Sequence, residues 1–417
     1  MAIDQNIYIF NHYYDISERR QLSLAMQNKM DTEEFVKTIK AKMIRFAQKL
    51  VQIKSITCDE SDVIAEVNKK MWELGYDKIR TDEFGNVYGF IGSGPLEYLF
   101  DSHMDTVDAA DQEDWFFDPY GGIVEDGKLY GRGSVDMKGP FTSALYAGYL
   151  AKKLGYLDNK SICVSASVME EDFEGEAVSF LLDSLDSLPK YAVICEATDL
   201  NVGRGHKGRA LINITVRGKP AHASHPELGV NPAYAARHLI GRIEQLSADL
   251  KKDPMSGSVA LTKISCITAS CNSIPQSVSV ILDRRLSIRE DEAYIKKEMN
   301  QLTEGFDAEW EICDIHGLSW KKKEVTLHSF LPAWEIPESS ELVQAAMRSC
   351  QKVLGHSVKS EVYDFSTNAV ATAGKYHIPT IVLGAGSMLN AHMKDEFCQI
   401  SDIENACKVY LSLLSRL

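Results

Sequence analysis

The sequence predicts an α/β protein in which helices flank a mostly parallel sheet and a ferredoxin-like βαββαβ lid is inserted into the larger domain. The chain has 417 residues, which is too long for one ordinary hydrophobic core and favours two domains. Strand-like runs, several of them apolar nearly throughout, alternate with helical segments, a pattern typical of a parallel sheet covered by helices. A segment in the second half of the chain breaks this alternation with a different order of elements.

The first part of the large domain, which we call the body, is predicted over residues 35–207. Apolar residues recur at helical spacing in two early segments, and the second helix stops at Gly75. Strands and helices then alternate, with strands predicted at 86–92, 97–103, 161–169 and 191–197 and helices at 141–155 and 175–185. Residues 1–34 form a predicted N-terminal extension, whose aromatic run "IYIFNHYY" packs either on the body or on a partner subunit.

The lid is predicted over residues 208–325. Its elements follow the order strand, helix, strand, strand, helix, strand, which is the ferredoxin-like arrangement. The body resumes over residues 326–417 with a helix at 339–355, a strand at 379–386 and a final helix at 401–417. We expect hinges near Gly208 and between about Gly317 and Phe330.

Composition and charge exclude several classes of partner. The net charge of −14 argues against binding to nucleic acid or to an anionic membrane, because both need clustered Lys and Arg, and it favours a small-molecule partner. Nine scattered cysteines without a CxxC pair indicate reduced thiols. The N-terminus lacks the pattern of a signal peptide, and no apolar run approaches the length of a membrane span. We therefore expect a cytoplasmic protein.

Polar side chains follow several predicted strands at the point where each strand ends. His103 lies two residues before Asp105, so both side chains share one side of an extended chain, as in a metal-binding histidine held by a carboxylate. A histidine at a strand end is more often structural, so this pair alone carries little weight. Further polar groups occupy loop-like positions beside other strands, namely Asp136, Glu170, Glu171, Glu196 and His392.

These groups can converge because ligands bind at the carboxyl ends of strands in open α/β sheets. Two imidazoles and three carboxylates suit a pair of divalent metal ions about 3.5–4 Å apart with one bridging carboxylate. One acid then remains, so one member of the Glu170–Glu171 pair binds metal while the other takes a proton from water. The residues alone do not decide which does which, but the layout is that of a hydrolase.

Five motifs resemble a known enzyme family. In chain order, "SHMDTV", "YGRGSVDMKGP", "MEED", "CEATDL" and "AHMKDEF" resemble the acetylornithine deacetylase, succinyl-diaminopimelate desuccinylase and aminoacylase family of dinuclear zinc hydrolases. The resemblance covers nearly all of the chain from about Phe35. Further stretches, such as "GRGHKGR", "LDRRL" and "DFSTNAVATAGKYHIPTIVLGAG", are most similar to a selenium-metabolism-linked hydrolase subgroup.

The resemblance implies a role for each candidate residue of the metal centre. Asp136 is the bridging ligand, His103 and Glu196 bind one metal, and Glu171 and His392 bind the other. Glu170 is the general base, and Asp105 supports His103. The implied cofactor is two Zn²⁺ per subunit, although Mn²⁺ or Co²⁺ accepts the same ligand types.

The resemblance also implies substrate contacts. In the lid, His222 stabilises the developing oxyanion, often across a dimer interface, while Asn272 and Arg284 grip the substrate. Arg284 suits a carboxylate, and an ion pair with Asp283 or a neighbouring strand is equally consistent with its position. The loops "DFSTNA" and "GAGS" offer hydroxyl and backbone N–H groups, or form plain turns, through Ser366, Thr367, Asn368, Gly384 and Gly386.

The resulting hypothesis is a homodimeric amide hydrolase that releases an amino acid from a small N-acyl or N-carbamoyl amino acid. A dipeptidase or carboxypeptidase needs the same metal centre and differs only in its pocket. A non-catalytic metal-binding or amino-acid-sensing protein on this fold is a third possibility, against which the intact "MEED" pair argues.

Overall fold

The computed structural model describes residues 32–253 and 255–416. The predicted N-terminal extension, including its aromatic run, lies almost entirely outside the described residues. The helices have the following bounds: α1 Thr32–Val51, α2 Ser61–Leu74, α3 Gly139–Lys153, α4 Glu170–Phe173, α5 Glu176–Asp183, α6 Pro232–Leu250, α7 Glu292–Thr303, α8 Glu341–Leu354 and α9 Ile400–Leu414.

The strands of the body come from both parts of the chain. They are β1 Lys78–Thr81, β2 Val87–Gly92, β3 Leu96–His103, β4 Ile123–Glu125, β5 Lys128–Tyr130, β6 Ser161–Ser167, β7 Tyr191–Ile194, β8 Val202–His206, β13 Asp314–Leu318, β14 Glu324–His328, β16 Trp334–Glu335, β17 Ser360–Tyr363, β18 Thr380–Val382 and β19 Phe397–Gln399. The lid strands are β9 Gly208–Arg217, β10 Ser258–Ile267, β11 Ser277–Leu286 and β12 Ala308–Ile312, and β15 Phe330–Leu331 pairs with β9.

The central sheet of the body is mixed. Its strand order is β1-β2-β6-β3-β7-β18-β8-β16, with β17 also paired to β8. Parallel pairing joins the central strands β6, β3, β7 and β18, and also β17 to β8. The pairs β1–β2, β2–β6, β18–β8 and β8–β16 are antiparallel. The predicted α/β class is confirmed, and the parallel character that the apolar runs indicated belongs to the buried central strands.

The parallel strands bring their carboxyl ends to one edge of the sheet. His103 is the last residue of β3 and is paired in register with Ser167, the last residue of β6. On the other side of β3, Asp101 is in register with Ile194, the last residue of β7. The loops after these three strands therefore begin side by side, which is the geometry expected for a ligand site in an α/β sheet.

Helix α3 is central to the body because it is buried over nearly its whole surface. It packs between α1 and α9 and contacts the sheet through β3 and β6. Its sequence, "GPFTSALYAGYLAKK", is apolar on every face except at the last turn, as expected for a helix covered on all sides. The segment before it, Ser134–Lys138, forms a single turn that carries Asp136.

The lid has the predicted ferredoxin-like order of elements. Its sheet runs β10-β11-β9-β12, all antiparallel. Helices α6 and α7 cover one face, and alternate strand residues such as Ile212 and Val280 pack there against Leu239 and Met299. Every second residue of β9 and β11 is buried, which is the period-2 pattern of a sheet with one covered face.

The structure corrects the C-terminal boundary of the lid. The hairpin β13–β14 was predicted to fall largely within the lid, but Val325 and Leu327 are buried in the hydrophobic core of the body, and Ile315 packs against it. At the hairpin tip, the indole N–H of Trp320 donates to the backbone oxygen of Gly85 at 3.1 Å. The lid therefore ends near Ile312, and residues 314–328 belong to the body. No helix within the described ranges combines the length and apolar character needed to cross a bilayer.

Candidate metal centre

The five predicted ligands come together at the carboxyl ends of the central strands. His103 ends β3, Glu196 follows β7 by two residues, and Glu171 lies in α4 just after β6. Asp136 enters from the turn before α3, and His392 comes from the loop after β18. All of them except His392 are buried or half-buried. Residues more than 280 positions apart in the chain thus share one small volume.

Asp136 is shared by two sets of candidate ligands. His103, Asp136 and Glu196 have ligand atoms within 4.8 Å of one another, and so do Asp136, Glu171 and His392. One carboxylate oxygen of Asp136, Oδ1, lies 2.9 Å from His103 Nε2, and the other, Oδ2, lies 3.2 Å from His392 Nε2. A carboxylate that presents one oxygen to each of two sets has the geometry of a bridging ligand.

The chemistry of these side chains fits a pair of divalent cations. Glu196 Oε1 lies 3.4 Å from His103 Nε2, while Glu196 Oε2 is buried and has no hydrogen-bond partner among the described residues. Such an unpaired carboxylate oxygen is costly unless a cation or proton satisfies it. Imidazole and carboxylate groups are ligands that zinc, manganese and cobalt all accept.

The shifted pKa values show that the site favours positive charge. Hydrogen bonds to Asp136 and Glu171 raise the pKa of His392 to about 10. Burial, together with the charge of Asp136, raises the pKa of Glu196 to about 7. Burial also opposes ionisation of Asp136, but hydrogen bonds from His103 and His392 outweigh it and hold the pKa of Asp136 below its ordinary value.

Glu170 and Glu171 occupy different positions although they are adjacent. Glu171 Oε2 lies 3.2 Å from His392 Nε2 and belongs to a ligand set. Glu170 belongs to neither set, and its Oε2 lies 4.0 Å from His103 Nε2. Burial raises the pKa of Glu170 well above its ordinary value. This geometry favours Glu171 as the ligand and leaves Glu170 as a free carboxyl group beside the cation sites.

Asp105 acts differently from the expected carboxylate support of His103. The Nδ1–H of His103 donates to the backbone oxygen of Asp105 at 2.9 Å, whereas the Asp105 carboxylate lies 3.6 Å away. That carboxylate instead accepts the backbone N–H of Glu170 and of Glu171, each at 3.0 Å, and the hydroxyl of Thr57. Asp105 therefore fixes His103 through its main chain and helix α4 through its side chain.

The lid residues His222 and Asn272 lie together at an exposed tip. The backbone N–H of Ala223 donates to the backbone oxygen of Asn272 at 2.8 Å, and His222 forms a bridge with Ser273. His222 Nδ1 accepts the backbone N–H of Ser224 at 3.1 Å. Among the described residues, no hydrogen bond or ion pair joins His222 to the metal centre.

The assignment of Arg284 to substrate binding is wrong. Its side chain is fully buried, and its guanidinium forms ion pairs with Glu290 at 2.5 Å and Glu298 at 3.0 Å. The alternative, a structural ion pair, is what the structure shows, although Asp283 is not its partner, because Asp283 pairs with Arg209 and Arg285. Side chains alternate along a strand, so Arg284 faces the covered side of the lid sheet.

Arg285 is a candidate substrate residue that the sequence interpretation missed. It is half-buried on the open face of the lid sheet. The charge of Arg285 acts on Glu174, which lies close to Glu170. Burial raises the pKa of Glu174 to about 7, and the charges of Arg209 and Arg285 oppose that rise. The sequence indicates this difference between Arg284 and Arg285, because Arg284 lies an even number of positions from the apolar Val278, Val280 and Leu282. All four side chains therefore point to the same, buried face of β11.

Of the five predicted loop contacts, that of Asn368 is corrected, because its side chain is buried and serves the fold, while the other four stay predictions. The Asn368 amide donates to Asp101 and to Ser167 and accepts the N–H of Gly175, so its hydrogen-bonding capacity is used. Thr367 is buried, and its hydroxyl oxygen accepts the N–H of Ala369. Ser366 is half-buried, and its contact with substrate stays a prediction.

The two glycines allow close backbone packing. A Cβ atom on Gly384 would lie 2.2 Å from the backbone oxygen of Cys195, and the N–H of Gly384 already donates to Thr198. Gly386 has φ +80°, a conformation that favours glycine, and its backbone oxygen accepts the N–H of Asp199. These contacts hold the glycine loop against the segment that carries Glu196.

Comparison with known proteins identifies the family. The profile of peptidase family M20/M25/M40 matches residues 99–416. The chain is 32% identical over 384 residues to the uncharacterized protein YgeY of Escherichia coli K12, covering 91% of this chain and 95% of YgeY. It is 25% identical to the succinyl-diaminopimelate desuccinylase of Thioalkalivibrio sulfidiphilus, with 89% and 97% covered. A tripeptidase structure from Staphylococcus aureus superposes with a TM-score of 0.71 at 22% identity, covering 90% of this chain and 98% of that one. The chain therefore belongs to peptidase family M20/M25/M40 and is a metal-dependent hydrolase of that family.

Proposed function

We propose that this protein releases an amino acid from a small N-acyl or N-carbamoyl amino acid by hydrolysing the amide bond. The observation that carries the proposal is the free carboxyl group of Glu170 beside two ligand sets that share Asp136. Two divalent ions, zinc in our proposal, would supply a polarised carbonyl and an activated water when bound. Each remaining step falls to the protein's own side chains.

Glu170 moves the proton. Its carboxylate takes a proton from the attacking water and then delivers it to the leaving nitrogen, so that one residue acts first as base and then as acid. The raised pKa of Glu170, caused by its burial, suits a group that must hold a proton between these steps. The Asp105 carboxylate supports this role because it fixes the N–H of Glu170.

His222 donates to the developing oxyanion in this proposal. Since His222 Nδ1 accepts the N–H of Ser224, the proton of the neutral ring lies on Nε2, which makes Nε2–H the available donor. Asn272 lies beside it and contributes a second polar group. Arg285 replaces Arg284 as the lid arginine suited to a substrate carboxylate.

We also propose that the protein is a homodimer through the lid. Strand β10 forms one edge of the lid sheet, and Ile264 and Ile267 on it are 52% and 59% exposed. An edge strand with exposed apolar side chains can pair with another strand. Pairing of two β10 strands would bring His222, on a neighbouring part of the lid, towards the metal centre of the partner.

One observation favours a peptide substrate as a second candidate. Glu174 Oε1 is buried, lies close to Glu170 and has no hydrogen-bond partner among the described residues. A carboxylate in this position suits the free ammonium group of a dipeptide, which an N-acyl amino acid lacks.

A mass-spectrometric turnover screen tests both candidates. Zinc-loaded protein is incubated with acetyl-, succinyl- and carbamoyl-amino acids and with dipeptides, and Glu170→Gln serves as the blank. Release of an amino acid from the substituted amino acids, absent in the blank, supports the proposal, and turnover confined to dipeptides supports the second candidate. If no substrate in the panel is turned over although two metals are bound, both candidate functions are rejected and a non-catalytic role is favoured.

A further inference from the structure

We propose that Glu396 is a positioning residue. It holds the bridging ligand Asp136 in place and joins the segment of Asp136 to the loop of His392. Glu396 lies in the motif "AHMKDEF", four residues after His392, and it is buried. The inference rests on the metal centre and not on the substrate proposed above.

The carboxylate of Glu396 binds the backbone of the bridging ligand directly. Its Oε1 accepts the N–H of Val135 at 3.0 Å and the N–H of Asp136 at 3.2 Å. The backbone oxygen of Glu396 accepts the N–H of Gly131 at 2.9 Å. Both ends of the segment from Gly131 to Asp136 are therefore fixed by one residue.

The second oxygen of Glu396 forms a buried ion pair. Oε2 accepts from Arg132 Nη1 at 2.7 Å, and the two side chains are 0% and 5% exposed. Arg132 Nη1 also lies 3.4 Å from the backbone oxygen of Met393, the residue after His392. The guanidinium stacks over the ring of Trp115 at 5.1 Å. This ion pair thus contacts the segments of two ligands of the same cation set.

A neighbouring contact holds the His392 loop from the other side. Asp395 Oδ1 accepts the N–H groups of Phe116 and Phe117 at 2.8 and 3.0 Å. The loop is therefore fastened to residues 115–117 by Asp395 and to residues 131–136 by Glu396. The loss of these contacts should lower metal affinity, because outer partners of metal ligands typically change affinity by 10- to 100-fold.

The test compares metal binding by two full-length variants. Glu396→Gln keeps the shape of the side chain and an acceptor for the Val135 and Asp136 N–H groups, but it removes the charge that pairs with Arg132. Glu290→Gln is the matched control, because it alters another buried Arg–Glu ion pair, that of Arg284 with Glu290 in the lid. Zn²⁺ affinity is measured by calorimetry in competition with a chelator, and the visible spectrum of the Co²⁺-loaded protein reports ligand geometry.

We expect Glu396→Gln to weaken Zn²⁺ binding by roughly 10- to 100-fold and to change the Co²⁺ spectrum. Glu290→Gln should lower thermal stability without altering either readout. Wild-type affinity and an unchanged spectrum in Glu396→Gln would overturn the proposal, as would an equal loss of affinity in Glu290→Gln.

A second variant covers the case in which Glu396→Gln does not fold. Arg132→Lys keeps a positive charge opposite Glu396 but is too short to reach Met393 as well. It should weaken binding of the ion held by His392, and wild-type affinity in this variant would overturn the inference. Metal binding needs no substrate, so these outcomes stand whether or not N-acyl amino acids turn over.

Discussion

The carboxylate of Asp105 accepts the backbone N–H of Glu170 at 3.0 Å and thereby orients the residue that we propose transfers the proton. Asp105→Asn replaces one acceptor oxygen with an N–H₂ group that faces a backbone N–H. We expect kcat to fall roughly 10- to 100-fold, as is typical when an outer partner of a metal site is lost, with a smaller change in KM. Steady-state kinetics on a confirmed substrate measure this.

Thr57→Val is the control for Asp105→Asn, because it removes only the third donor to the same carboxylate. It should change kcat by a few-fold at most. An Asp105→Asn enzyme with wild-type kcat would show that the orientation of α4 does not limit turnover.

The two adjacent glutamates should differ in what their loss removes. Glu170→Gln is expected to bind both metals and to lose turnover by roughly 100- to 10,000-fold, because it removes only proton transfer. Glu171→Gln should lose metal, since Glu171 contacts His392 in a ligand set. Metal analysis of the purified variants beside their kinetics distinguishes these roles, and loss of metal from Glu170→Gln would mean that they are exchanged.

His222 should act across a dimer. His222→Ala is expected to lower kcat by about 100- to 1,000-fold, the usual cost of losing one oxyanion donor. Mixing the inactive Glu170→Gln and His222→Ala subunits should restore activity, since one site of each mixed dimer then has both residues. Ile264→Lys on the edge strand should prevent this rescue by giving a monomer in light scattering, and a fully active monomer would contradict the proposal.

His206 should make stability depend on pH. Burial lowers the pKa of His206 to about 4 from an ordinary 6.5, although the hydrogen bond from its Nδ1–H to the backbone oxygen of Lys207 opposes the fall. Below pH 6.5 His206 is protonated in the unfolded chain, whereas in the folded protein it stays neutral until about pH 4. The stability that the neutral ring contributes is thus complete above pH 6.5 and is lost as pH falls towards 4.

The loss should reach about 3 kcal/mol at most in the free energy of unfolding. Denaturant unfolding at pH 7, 5.5 and 4 should show a smaller decrease in His206→Asn than in the parent, since carboxylates contribute equally to both. Parallel curves for the two proteins would show that His206 carries no pH dependence.

The convergence of the candidate ligands could be predicted because its signal is local. His103, Glu171 and Glu196 follow apolar strands directly, and residue type at the end of a parallel strand is enough to suggest a common site. Arg284 shows the limit of residue type alone, because the choice between it and Arg285 depends on which face of β11 the helices cover. That choice required the alternation of buried residues along the strand.

Other contacts join residues that are far apart in the chain, and no local sequence pattern predicts them. The binding of Asp105 to helix α4 joins the loop after β3 to the helix after β6. Asn368 likewise meets Asp101 across 267 positions of the chain. The hairpin β13–β14 alternates buried and exposed residues as a lid strand would, and only its contacts assign it to the body.

The placement of that hairpin fixes where the lid joins the body. The chain enters the lid at Gly208 and leaves it at Ile312. Because Ile312 pairs with Ile212 in the first lid strand, the two connections to the body lie on neighbouring strands. The hairpin stays with the body, where Gly317 packs against Phe173 at the end of α4. The lid is thus joined to the body where β9 and β12 lie side by side, so a change in the lid that alters substrate contacts leaves the candidate ligands in the body in place.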